Sequence, residues 1–152
     1  EALRNQGIAN LKGLDVERLE TIPAYGSTFS CLSGNSFYTG SRAVLLPGLA
    51  TQVTGKRVHE DFGWLLCVPS RHQVAWHIIE DSSVMGAIQG MAGFGIDAYS
   101  SVPGPVSPHV YWWNGSGYEQ LTHRKDDGAV AVRVSPGFQR VLASVAAVIP
   151  ES

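Results

Sequence analysis

Residues Gly63 to Ile79, GWLLCVPSRHQVAWHII, decide the fold. Two apolar runs flank a short polar turn, Pro69-Ser70-Arg71-His72, so the stretch reads as a hairpin. Trp64, Leu65, Leu66, Cys67 and Val68 offer no polar face, and a strand of that kind is covered on both sides. The return strand alternates. Val74, Trp76 and Ile78 point one way, and Gln73, Ala75, His77 and Ile79 the other. These residues speak of architecture rather than chemistry.

Outward from this hairpin the signals are mixed. Towards the N-terminus, residues 2–12 read as a short helix, with Ile8 and Leu11 on one stripe, and Asp15 can cap a further turn through Glu20. Residues 21–34, TIPAYGSTFSCLSG, mix Pro, Gly, Ser and aromatics and read as an irregular connector or ligand-facing loop. Between Ser36 and Thr54 a helix bent at Pro47 is favoured, because Leu45, Leu49 and Val53 share a face. The alternative is a strand at Ala43–Leu46 followed by a turn. The polar run Gly55–Asp61 then leads into the central hairpin.

Towards the C-terminus, Glu80-Asp81-Ser82 ends the second strand and caps a helix predicted over Ser83–Tyr99. That helix contains Gly86, Gly90, Gly93 and Gly95. An interior glycine costs up to about 1 kcal/mol against alanine, so something must offset it. Close approach to the sheet is one reason; a movable or ligand-adjacent helix is the other. The proline-rich segment Val102–Pro108 is a stiff crossover. His109–Trp113 and Tyr118–Thr122 flank Asn114-Gly115-Ser116-Gly117, which is hairpin turn chemistry. Ala129–Val134 is a further strand. Ser135-Pro136 opens an amphipathic helix to Val148, with Phe138, Val141, Leu142 and Val145 on one face. The expected fold is a single α+β domain over residues 1–152, with a mostly antiparallel sheet of about five strands and helices packed against it.

Composition narrows the function classes. The chain has 152 residues, 44% of them hydrophobic, enough for one full core. Charged residues are only 16%, which argues against disorder and leaves much uncharged surface. A net charge of −2 lacks the basic footprint of a nucleic-acid binder. No apolar run is long enough for a membrane-spanning helix. The N-terminal EALRNQGIANLKG has no signal-peptide core, so a cytoplasmic protein is expected, although the missing initiator Met is compatible with a removed leader. Asn114-Gly115-Ser116 fits the glycosylation sequon but is better explained as a turn.

The candidate chemistry is sparse. His72 and His77 fall on opposite faces and make poor co-ligands, and no metal or cofactor motif accompanies them. In the predicted register His109 opposes Thr122, while His123 lies on the other face with Glu119 and Trp112; a slip of one residue would bring the two histidines together. His109, His123 and Cys31 are the catalytic candidates. Cys31 is placed in a loop as the more accessible thiol, and Cys67 inside an apolar strand as inert. No Gly-x-Ser-x-Gly elbow, Rossmann fingerprint or phosphate loop occurs. Tyr111, Trp112 and Trp113 form the strongest interaction signal, joined by Arg71 as an anion contact.

The unit Leu65–Ile78 around Pro-Ser-Arg-His, the helix after it and Ser107-Pro108-His109-Val110-Tyr111-Trp112-Trp113 together resemble small bacterial α+β proteins similar to the YtpQ family. The resemblance covers about half the chain and implies a bacterial cytosolic protein, with no catalytic residue to carry over. The resulting expectation is a non-enzymatic protein-binding module of the immunity or adaptor kind, using Arg71, Tyr111, Trp112 and Trp113. The alternative is a small hydrolase or transferase with a His base (His109, His123 or His77) and a Ser or Cys31 nucleophile.

Overall fold

The two apolar runs lie at the centre of an antiparallel sheet. A computed structural model describes residues 18–34, 62–101 and 104–146. The helices expected over 2–12 and within Ser36–Thr54 lie outside these residues. The strands are β1 (Arg18–Ala24), β2 (Ser27–Ser33), β3 (Trp64–Ser70), β4 (Gln73–Ile78), β5 (Tyr111–Trp113) and β6 (Tyr118–Gln120). They form one six-stranded sheet in the order β1-β2-β4-β3-β5-β6. A small second sheet pairs β7 (Thr122–Arg124) with β8 (Val130–Val132). Two described helices, α1 (Val84–Ser101) and α2 (Pro136–Ala146), complete the α+β fold.

The central hairpin keeps its predicted facing. Trp64 pairs with Ile78, Leu66 with Trp76 and Cys67 with Ala75. Leu65, Cys67, Ala75, Phe29 and Cys31 share one face and join a core with Val84, Ala87, Ile88 and Met91 of α1. Leu32, Trp64, Leu66, Val74 and Trp76 alternate onto the opposite face and are buried too. Thus β3 is covered on both faces, as an all-apolar strand requires. The turn is tighter than expected: Pro69 and Ser70 belong to β3, past a register shift, and only Arg71 and His72 turn. Buried Ser70 stabilises it by accepting the His72 N–H at 3.1 Å.

Residues 21–34 are not irregular. With Arg18–Glu20 they form the hairpin β1–β2, paired from Arg18 with Ser33 to Ala24 with Ser27. The two-residue turn uses positive φ at Tyr25 (51°) and Gly26 (78°), the primed geometry that matches strand twist. The alternation of Phe29 and Cys31 with Thr28, Ser30 and Ser33 is the strand signal that the surrounding Pro and Gly obscured. Pro23 is tolerated because β1 is an edge strand.

The glycines of α1 record close packing. A side-chain carbon on Gly86 would lie 2.4 Å from the Tyr25 carbonyl oxygen, and one on Gly90 2.2 Å from Ala24 Cβ. At Gly95 it would meet the Pro108 carbonyl oxygen at 2.4 Å and Cys67 Sγ at 2.9 Å. These glycines let α1 rest directly on the β1–β2 turn and on β3. Gly93 is exposed with open space around it. Gly93→Ala is therefore expected to stabilise the fold by about 0.5–1 kcal/mol through helix propensity alone. Gly95→Ala should instead destabilise it by about 1–3 kcal/mol through overpacking. Thermal or denaturant unfolding of the two variants checks the opposite signs.

Candidate functional site

The aromatic hairpin β5–β6 folds in the predicted register, with Trp113 opposite Tyr118, Trp112 opposite Glu119 and Tyr111 opposite Gln120. Asn114 closes the turn: its Oδ1 accepts the N–H groups of Ser116 (2.8 Å) and Gly117 (3.0 Å). The three aromatics of β5 part as the alternation requires. Trp113 stacks on Trp64 at 5.5 Å and meets Tyr118 edge-on at 5.1 Å. Trp64 Nε1 donates to the Tyr118 hydroxyl at 3.0 Å, and Tyr118 is 42% exposed. Tyr111 is half-buried, its hydroxyl 2.9 Å from Ser107 Oγ. Trp112 turns to the helix side and packs on Phe138 of α2 at 5.1 Å. Its Nε1 donates to the Phe62 carbonyl at 2.9 Å, and only 5% of the residue is exposed.

Between this hairpin and α2 runs an open groove of about 690 Å³. Phe62, Trp112 and Val141 supply its apolar lining, and Glu119, Ser135 and Arg140 are prominent among its polar groups. Glu119 is half-buried and held from both sides. Its Oε1 accepts from Asn114 Nδ2 at 3.1 Å, and its Oε2 accepts from Ser135 Oγ at 2.7 Å. Ser135 Oγ also accepts the Phe138 N–H at 3.2 Å, so the same hydroxyl caps α2 and anchors the carboxylate. Gly137 opens the helix wall. A side-chain carbon there would sit 3.7 Å from Trp112, Ser135 Oγ and an Arg140 terminal nitrogen, an ordinary contact distance. The volume of the groove falls in the range of ligand clefts, but the groove is open and its lining is more polar than apolar.

The expected binding residues do not converge. Trp112 lines the groove, whereas Tyr111 and Trp113 belong to the other face of the sheet. Arg71 is exposed in the β3–β4 turn, where its N–H donates to the Gly104 carbonyl at 3.0 Å and its side chain packs against Gly104. Ser135 and Arg140 are functional candidates that sequence reasoning left aside, and Glu119 was considered only as an acid–base partner of His123. The capping pattern at Ser135-Pro136 was legible, but its meeting with Glu119 is a long-range contact.

The catalytic candidates meet a similar fate. His109 and His123 lie close after all, with ring centres 6.5 Å apart. The register did not slip. The chain leaves the hairpin at Leu121 and starts β7, which breaks the alternation that separated the two rings. His109 Nδ1 lies 3.2 Å from Thr122 Oγ1, and His123 Nε2 lies 3.3 Å from the Gln120 carbonyl. Burial, then the neighbouring His123 and Arg124, hold His109 below the usual imidazole range. Glu119 hydrogen-bonds Asn114 and Ser135 rather than His123, so no acid–base pair forms there.

Cys31 is not a loop thiol. It lies in β2, 3% exposed, and pairs with Ala75, which on its other side pairs with Cys67. One strand therefore separates the two cysteines, roughly twice the 4.8 Å strand spacing and too far for a disulfide. Both are free. Burial raises the Cys31 thiol pKa and pushes Cys67 up to about 12. His77 is half-buried beside β2, its Nδ1 2.7 Å from the Thr28 carbonyl. Its Nε2 and Ser27 Oγ are buried polar atoms without a hydrogen-bond partner among the described residues. Both are shielded from solvent, so neither meets a substrate without local rearrangement. No cluster of three or more metal-ligating side chains occurs among the described residues, and none of the described helices is long and apolar enough to cross a membrane.

Comparison with family models, curated proteins and solved structures finds no match to this chain.

Two outcomes follow from these environments. Neither thiol should react with a thiol reagent in the folded protein at mildly alkaline pH, and both should react in denaturant; a titration with Ellman's reagent reads this. Burial lowers the His77 pKa, against the smaller raising effect of the Thr28 carbonyl. The unfolded chain therefore takes up the proton first as pH falls below about 6.5, and stability is lost in that direction. His77→Asn should flatten that loss in denaturant melts recorded between about pH 7 and pH 5.

Proposed function

We propose that this chain is a non-enzymatic binding module, bacterial and of the immunity or adaptor kind, that grips a protein partner at the groove between β5–β6 and α2. The observation that carries the reading is the groove itself, with its polar groups already fixed by the hydrogen bonds of Asn114, Glu119 and Ser135. Side chains locked before binding lose little entropy on association. Exposed Tyr118 next to the groove-lining turn extends the surface with an amphipathic aromatic, a side chain suited to partner contacts. Of the nucleophiles open to the hydrolase or transferase alternative, Cys31 is buried with a raised pKa, which weighs against a thiol-based reaction.

The test blocks the groove from its helix wall. Gly137→Leu fills the space beside Trp112 and Arg140 and should leave stability within about 1 kcal/mol, since leucine is the better helix former. Immobilised parent protein is expected to retain one stoichiometric protein from a lysate of the source cell. Gly137→Leu should lose it at least about tenfold, and Gly93→Ala should keep it. Equal retention by the parent and Gly137→Leu would overturn the groove as the partner site.

A further inference from the structure

We propose that Glu119 is the anchor for a lysine or arginine side chain presented by the partner; this assignment rests on the reading of the groove as the partner site. Glu119 projects from the middle of β6 on the same face as Trp112, its register partner. Each carboxylate oxygen accepts one hydrogen bond from a neutral donor, Asn114 or Ser135. A carboxylate oxygen has room for two, so one acceptor position on each is still open. The one ion pair among the described residues is Arg18 with Glu20, at 2.6 Å on the exposed edge strand. Glu119 is therefore a half-buried carboxylate held by two neutral donors, with no described cation in ion-pair contact.

A charge-assisted hydrogen bond from a cation at those open positions is roughly twice as strong as one from a neutral donor. The positive end of α2, capped by Ser135, offsets a fraction of the charge, about half a unit at most for a helix terminus. A basic side chain supplies the rest. Half-buried Phe62 and the small exposed edge of Trp112 line the same groove, and an apolar margin beside a carboxylate suits the aliphatic stem of lysine or arginine. Arg140, on the opposite wall, is exposed and solvated and gains less from a counter-ion than the fixed Glu119 does.

The experiment uses the whole chain, labelled with nitrogen-15, and follows the Trp112 indole N–H signal. The probes are N-acetyl-lysine amide and N-acetyl-arginine amide, with N-acetyl-norleucine amide as the uncharged control. Both cations should shift the Trp112 signal at millimolar concentration, and norleucine should not. Glu119→Gln should weaken the cations at least about tenfold, the loss of one charge-assisted hydrogen bond. Arg140→Gln should tighten them about twofold by removing a like charge. Added salt should weaken the cations in the parent protein, which keeps the test valid if Glu119→Gln fails to fold.

Norleucine binding as well as lysine, full binding by folded Glu119→Gln, weaker binding by Arg140→Gln, or no shift with either cation would each overturn the assignment. If the cations fail while Gly137→Leu still loses the partner, the groove reading stands and the role of Glu119 falls. If the cations bind at Glu119 while Gly137→Leu keeps the partner, the groove takes a basic side chain but is not the partner site, and the anchor role falls with the groove reading.

Discussion

The junction at Gly63 holds the architecture together. A side-chain carbon there would lie 1.9 Å from the Trp113 carbonyl oxygen and 2.9 Å from Trp112 Nε1, and the residue has φ of 77°. Only glycine meets both demands. Through this point the start of β3 touches the end of β5, while the Ile79 N–H donates to the Gly63 carbonyl at 3.3 Å. The neighbouring Phe62 carbonyl takes the Trp112 indole proton. Three strands are thereby set against one another, and Trp112 is fixed towards α2. The position of the groove, whose lining includes both Phe62 and Trp112, depends on that arrangement.

Around this junction the sheet is apolar on two faces, and α1 lies close on one of them. Gly86, Gly90 and Gly95 remove the side chains that would hold the helix away. Their propensity cost is offset by the contacts of Val84, Ala87, Ile88 and Met91 with the sheet, at about 25 cal/mol per Å² of apolar surface removed from water. Gly86, Gly90 and Gly95 thus have a packing explanation, whereas Gly93 faces open space. The few polar groups inside are mostly satisfied locally. Thr122 Oγ1, for example, accepts the Val110 N–H at 2.9 Å where the hairpin ladder ends.

The chemistry follows from the same packing. Placing Cys31 and Cys67 beneath α1 suppresses their thiolates. Glu119, by contrast, sits where the sheet edge meets the capped end of α2, half-buried and restrained by two donors. One chain thus carries two buried thiols in its core and a restrained carboxylate in a surface groove.

The sequence by itself determined the local elements whose signals are strong within a few residues. The β3–β4 hairpin, the facing of Val74, Ala75, Trp76 and His77, the Asn114–Gly117 turn with its register, and both described helices were legible because periodicity and turn chemistry are local. Hairpin β1–β2 was not, since Pro23 and the Tyr25-Gly26 turn mask a strand whose edge position alone makes proline acceptable. The nearness of His109 to His123 depended on the strand's ending at Gln120 and a new one starting at Thr122, which alternation cannot foresee. Only the tertiary structure decided which glycines of α1 are packed, that Cys31 is buried, and that Glu119 meets Ser135. Each of these is a contact between residues distant in the chain, and its energy depends on what burial brings together rather than on neighbours in sequence.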